Sequence, residues 1–149
     1  MTTANSKAID QAAQIRKHMD DHAKAIRAKD INGSMSIYAP DILSFDVVNP
    51  LQKIGLDACR KRTEEWFSSF QGPIGYENSD LSITTGDDVA FCHSLNQVNG
   101  TKTDGNQIEM WWRATVCFRK IDNKWVITHE HASVPFDVES GKASLDLKP

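Results

Sequence analysis

The sequence predicts an α+β domain, with helices packed on one face of a curved antiparallel sheet. Three observations lead there. Residues 6–28 carry apolar side chains at helical spacing, the chain from residue 76 onward alternates with period two, and turn-forming segments separate the alternating runs. The 149 residues fit one domain, with a core at about 8–136 and a tail at 137–149. A domain of that size buries roughly 70% of the surface its unfolded chain exposes, enough for a core without staples.

The elements follow in order. From Ser6 to Ala28, Ala8, Ile15, Met19, His22 and Ile26 fall on one stripe, which predicts an amphipathic helix. "KDINGSMSIYAP" reads as a turn into a short second helix stopped before Pro40. "DILSFDVV" alternates as a strand and ends at Asn49-Pro50. A third helix runs from Gly55 to Phe70, with Leu56, Cys59, Thr63, Trp66, Phe67 and Phe70 sharing a face. Strands are then expected near Tyr76–Thr84, Val89–Val98, Gln107–Lys120 and Lys124–Val134, joined by Gly86-Asp87-Asp88, "NGTKTDGN" and Asp122-Asn123. On the third of these, Met110, Trp112, Ala114, Val116 and Phe118 make an apolar face. The opposite face, from Glu109 to Arg119, is mixed and includes Trp111 and Arg113, which suits a homodimer interface. The tail "DVESGKASLDLKP" has little apolar content and is expected to fray or wrap loosely.

Composition excludes several function classes. A net charge of −3 speaks against nucleic acid, which wants a clustered basic surface. The single basic cluster, "CRKR" at Cys59–Arg62, is followed by Glu64 and Glu65 and reads as a solvated helix face. Three widely spaced cysteines form no disulfide framework or zinc knuckle and suit a reducing compartment. With no apolar leader and no long apolar run, the expectation is a cytoplasmic protein without a membrane partner. No P-loop, GxGxxG or GxSxG stands in the chain, so neither a nucleotide cradle nor a serine nucleophile is visible, and no cofactor is expected.

Three places carry chemistry. "THEHASVPFD" sets His129 and His131 on one side of a strand and Glu130 on the other. Two imidazoles two apart can share a metal, but a third ligand is missing from the pattern, because only tail carboxylates follow. The expectation is therefore no metal and a structural histidine pair; the histidines and Glu130 can both face inward only if a bulge intervenes. His22 sits on the apolar stripe of the first helix and should point inward, as a core residue or a proton donor. Asp46 stands near the end of an apolar strand, where it is either a desolvated base or a turn cap.

The stretches "RAKDINGSMSIYAPDILSFDVVNPLQKIGLDACRKRTEEWF" and "WWRATVCFRKIDNKWVITHEHASVPFD" resemble the nuclear-transport-factor-2-like superfamily, in its ketosteroid-isomerase-like and SnoaL-like branch. The resemblance spans residues 8–136 and implies a curled sheet and three helices closing a conical pocket. It implies that Asp46 matches the general-base aspartate, and that His22 stands where the isomerases have an oxyanion-stabilising tyrosine. Their third residue, a protonated aspartate, has no match, since "WRATVCF" offers Ala114 at that place. "HEHAS" is also similar to the last strand of the association domain of a calmodulin-dependent kinase, which implies that Glu130 and Ala132 face the pocket. The implied function is a cofactor-free isomerase, cyclase or dehydratase type of enzyme acting on a small hydrophobic carbonyl compound. In it Asp46 and His22 are catalytic, and Trp66, Phe91, Trp112 and Glu130 meet the substrate. The alternative is a non-catalytic ligand-binding or oligomerisation module of the same fold.

Overall fold

A computed structural model describes residues 3–149 of the chain. Helix α1 (Thr3–Arg27) buries Ile15, Met19 and Ile26 of the predicted stripe with Ala23 beside them, leaves Ala8 exposed, and ends on Lys24 and Arg27, which suit the negative end of the helix dipole. Asp30 caps α2 (Ile31–Met35) by accepting the Gly33 amide proton at 3.0 Å. Strand β1 (Tyr38–Phe45) leads through a turn to the two-residue β2 (Lys53–Ile54) and then to α3 (Leu56–Ser68). Gly55, before α3, holds φ at 91°, a conformation that favours glycine. Four long strands follow: β3 (Phe70–Thr85), β4 (Val89–Lys102), β5 (Gln107–Ile121) and β6 (Lys124–Ser133).

The first strand lies about three residues upstream of its expected place and ends before Asp46. Pro40 within it is tolerated because β2 pairs only with Leu43 and Ser44, so the β2 side of the strand carries no ladder at residue 40.

The sheet corrects the expected architecture in two respects. Its order is β2-β1-β6-β5-β4-β3, and β1 runs parallel to β6, so the sheet is mixed and not wholly antiparallel. The end strands β2 and β3 do not pair, and the sheet is neither closed nor strongly curled, so the conical pocket is absent. Side chains take the place of that space. Trp125, Phe118, Ile15, Ile42, Ile74 and Ile127 are each under 2% exposed, and such close packing leaves no volume for a ligand-sized cone. Alternation reports which face is apolar but says nothing about which strand lies beside which, and this is why the parallel pair was not foreseen.

Two apolar clusters form between the helices and the sheet. One gathers Ile15, Met19, Ile42, Val116, Phe118, Trp125 and Ile127, and the other Ala23, Ile26, Phe67, Phe70, Ile74, Tyr76 and Val98. The apolar face predicted for β5 does face inward: Val116 and Phe118 are buried, whereas Arg113, Thr115 and Arg119 are exposed.

Strand β6 changes phase midway. Ile127 pairs with Phe118 and His129 with Cys117, which leaves Thr128 as an extra residue, a β-bulge. Trp125 and Ile127 point inward before it, and Glu130, opposite the buried Val116, points inward after it. His129 and His131 are thereby turned to the outer face.

The tail is tied more firmly than its composition suggests. Asp137 and Lys142 are joined by a backbone hydrogen bond, Phe136 bridges Ala143, and Lys148 reaches Glu109 at 3.6 Å.

Candidate functional site

Inward-facing polar groups gather between the two apolar clusters. From β1, Tyr38 donates to Oε2 of Glu130 at 2.8 Å and Ser44 donates to Oε1 at 3.0 Å. Ser44 and Glu130 are direct partners in the parallel β1–β6 pair, so strand register itself delivers this contact. Burial raises the Glu130 pKa above the usual carboxylate value, and the nearby charge of Asp46 raises it further. The two hydrogen bonds from Tyr38 and Ser44, and after them the charge of Lys53, pull the other way. The Tyr38 phenol is pushed well up by burial and by Glu130, so it remains a proton donor across the ordinary pH range.

His22 reaches the same cluster from α1. Its Nε2 lies 3.5 Å from the Tyr38 hydroxyl, with the two rings edge to face at 5.7 Å. Burial lowers the His22 pKa to about 4, so the ring is neutral near pH 7. The unfolded chain binds this proton near pH 6.5, and the folded protein only near 4. Stability present above pH 6.5 is therefore lost as the pH falls towards 4. Allowing for solvent at one edge of the ring, His22→Leu is expected to lose about 2 kcal/mol less than the wild type between pH 7 and pH 4.5, read from urea midpoints. Equal losses in the two proteins would show that His22 titrates normally.

Asp46 follows β1 directly and is held on several sides. Its Oδ2 takes Lys53 Nζ at 3.0 Å and faces Arg62 Nε at 3.3 Å, and its Oδ1 accepts the Val47 amide at 2.6 Å. The strand β2, too short to show any period, is what brings Lys53 into the interior at 7% exposed. Asp46 and Glu130 are thus two neighbouring carboxylates with unlike surroundings, one paired with cations and the other with hydroxyls.

Trp66 and Trp112 flank Tyr76, with ring centres 6.3 and 5.9 Å from it. Tyr76 in turn accepts from Asn96 at 3.3 Å, and Asn96 accepts from Ser94. Phe91 is not part of this wall. Its neighbours Ala90 and Cys92 point inward, which turns Phe91 to the outer face at 45% exposed. Tyr38, Ser44, Lys53 and Tyr76 were not singled out from the sequence, and Arg62, read there as part of a solvated basic helix face, instead turns to Asp46. Only the Ile42–Ser44 alternation on β1 offered a signal for any of them.

Other chemistries find little support. His129 Nδ1 lies 2.8 Å from the Leu43 carbonyl oxygen, and Phe45 packs edge-on against both His129 and His131 at 4.8 and 5.4 Å. Among the described residues, no three His, Cys, Asp or Glu side chains converge as metal ligands do. Burial pushes the Cys59 and Cys92 thiols up to about 11 and 12, far from the thiolate range of a nucleophile. No helix among the described residues is long and apolar enough to cross a membrane.

Two recesses border the fold. One of about 120 Å³ touches His22 from outside, and one of about 160 Å³ lies between the outer sheet face and the tail. Both fall short of the roughly 300–1,000 Å³ typical of small-molecule sites.

The model of the SnoaL-like domain matches residues 15–137. Among solved structures, the chain is similar to a nuclear-transport-factor-2-like protein of unknown function from Pseudomonas putida. The two are 34% identical, with a TM-score of 0.87, over 95% of this chain and 99% of that one. It shares its fold with a ketosteroid isomerase-like protein from Erwinia carotovora atroseptica (19% identity, TM-score 0.71, 83% and 95% covered). A nuclear transport factor 2 superfamily protein from Salmonella enterica has the fold as well (14% identity, TM-score 0.76, 89% and 96% covered). The superfamily includes enzymes, with dehydratases and isomerase-like proteins among the names of its solved structures. No curated protein matches the chain. The match over residues 15–137 and the 34% identity across nearly the whole length show that the chain belongs to the SnoaL-like family within the nuclear-transport-factor-2-like superfamily.

Proposed function

We propose that the protein is a cofactor-free acid–base enzyme acting on a small hydrophobic carbonyl compound, with Glu130 as the group that takes and returns the proton. One observation carries the reading: an inward-facing carboxyl group held by two hydroxyls, beside a second carboxylate that has taken the neighbouring cations for itself. An acid so placed weakens a fold, and an apolar residue would serve packing better, so its presence points to chemistry. Glu130 removes a proton next to the carbonyl and hands it back at a second carbon. Tyr38 donates to the developing enolate oxygen, and His22, neutral, supports Tyr38. Asp46, fixed by Lys53 and Arg62, supplies the negative charge that keeps Glu130 basic. Trp66, Tyr76 and Trp112 give the apolar wall.

Turnover of a panel of steroid enones, cyclic enones and aromatic polyketide fragments tests the reading. Glu130→Gln is expected to lose turnover of any substrate found, and a variant as active as the wild type would overturn the assignment.

The outer face favours a second reading alongside the first. Val89, Phe91 and Ile121 are exposed there at 53, 45 and 47%, and this face carries Trp111. A homodimer that buries this face is expected, so Phe91→Glu should halve the molar mass measured by light scattering. An unchanged mass would place any interface elsewhere.

A further inference from the structure

The recess outside His22 is lined by His18 and Asp21 of α1, Ser36 after α2, and Lys124 and Trp125 at the head of β6. Trp125 is 1% exposed, and its indole Nε1–H finds no acceptor in the protein. That nitrogen is sealed from water, so what a recess of about 120 Å³ can serve is the His22 ring.

His22 completes the geometry from the other side. In the resting site the Tyr38 proton is given to Glu130, so toward His22 the Tyr38 oxygen can only accept. The ring therefore carries its proton on Nε2, and Nδ1 is left as an acceptor. The His22 ring thus presents an acceptor on the side away from Tyr38, and His22 is one of the residues that line the recess.

We propose that this recess is the proton port of Glu130: water in it connects solvent to the carboxyl group through His22 and Tyr38. The inference rests on the reading of Glu130 as the proton-handling group. A proton brought in by hydronium or a buffer acid passes through that water to His22 Nδ1. The Nε2 proton moves to the Tyr38 oxygen, and the Tyr38 proton moves to Glu130 Oε2. One proton enters and one reaches the carboxylate, with His22 left in its other tautomer. Discharge along the same chain in reverse resets the ring. His18, Asp21, Lys124 and Tyr38 are the titratable groups that face this path, and Asp21 is itself bonded to Lys17 at 2.6 Å.

The test follows the carboxyl C=O infrared band of Glu130 at pH 4.5, assigned by its loss in Glu130→Gln, after rapid mixing into D₂O. In His22→Leu the deuterium shift of this band is expected to slow tenfold or more relative to the wild type. Slowing by less than tenfold overturns the port. Should His22→Leu not fold, Ser36→Leu, which fills the recess from its exposed rim, decides by the same criterion. Exchange is read without substrate, so failure of the port leaves the catalytic assignment of Glu130 standing, and loss of that assignment leaves the port measurable.

Discussion

Asp46→Ala is expected to destabilise the fold by about 3–5 kcal/mol, the range for removing one partner of a buried ion pair. The size comes from what the substitution leaves behind. Lys53 is 7% exposed and gives its proton to Asp46 at 3.0 Å, so without the carboxylate its ammonium is stranded in the interior. Arg62, 28% exposed and 3.3 Å away, compensates little because it carries the same sign. Replacing both partners by apolar residues, as in Asp46→Leu with Lys53→Met, is expected to recover most of the loss, since no bare charge remains. Urea midpoints with unchanged slopes would measure both. A loss below about 1 kcal/mol for Asp46→Ala would mean that the pair is solvated and contributes as surface pairs do.

Glu130→Gln should separate activity from stability. Turnover is expected to fall by about 10²–10⁴, the usual contribution of a positioned acid or base. Stability at neutral pH is expected to hold or to rise by about 0.5–2 kcal/mol, because the amide keeps the shape and sheds the charge. The pH dependence fixes the sign. The Glu130 pKa is raised in the folded state, so between 4.5 and that higher value the folded protein holds more protons than the unfolded chain. Wild-type stability therefore falls as the pH rises through this window. Glu130→Gln lacks that slope, and its advantage over the wild type should grow from pH 4.5 upward. A variant that loses stability at neutral pH would show Glu130 to be structural.

The sequence carried the parts of the fold that local periodicity encodes. The Ile15–Met19–Ile26 stripe fixed α1, and the two faces of β5 could be told apart by their side chains alone. The site was legible only in pieces. His22 and Asp46 stood out because each is a polar residue in an apolar run. Tyr38 did not, because "SIYAP" reads as a helix end before a proline. Lys53 could not, because two residues carry no period. Glu130 meets Ser44 only through the β1–β6 pair, and 86 residues of chain separate the two. Alternation alone hid the phase of Glu130, because the extra residue at Thr128 is not marked by glycine or proline, and only the resemblance of "HEHAS" pointed it inward.

That one unpaired threonine acts as a selector. The last strand carries two alternative interiors, written one residue apart: a carboxylate, or a pair of imidazoles. Were Thr128 taken into the ladder instead of bulging out of it, alternation would run unbroken from Trp125, turning His129 and His131 inward beside Ser44 and sending Glu130 to the outer surface. Flattening the bulge at this one residue would exchange an acid-lined interior for one built of imidazoles, with no change in composition, whereas losing the residue altogether would leave the carboxylate where it is. In a fold that hosts many reactions, such a frame change inside one strand is a short route from one chemistry to another.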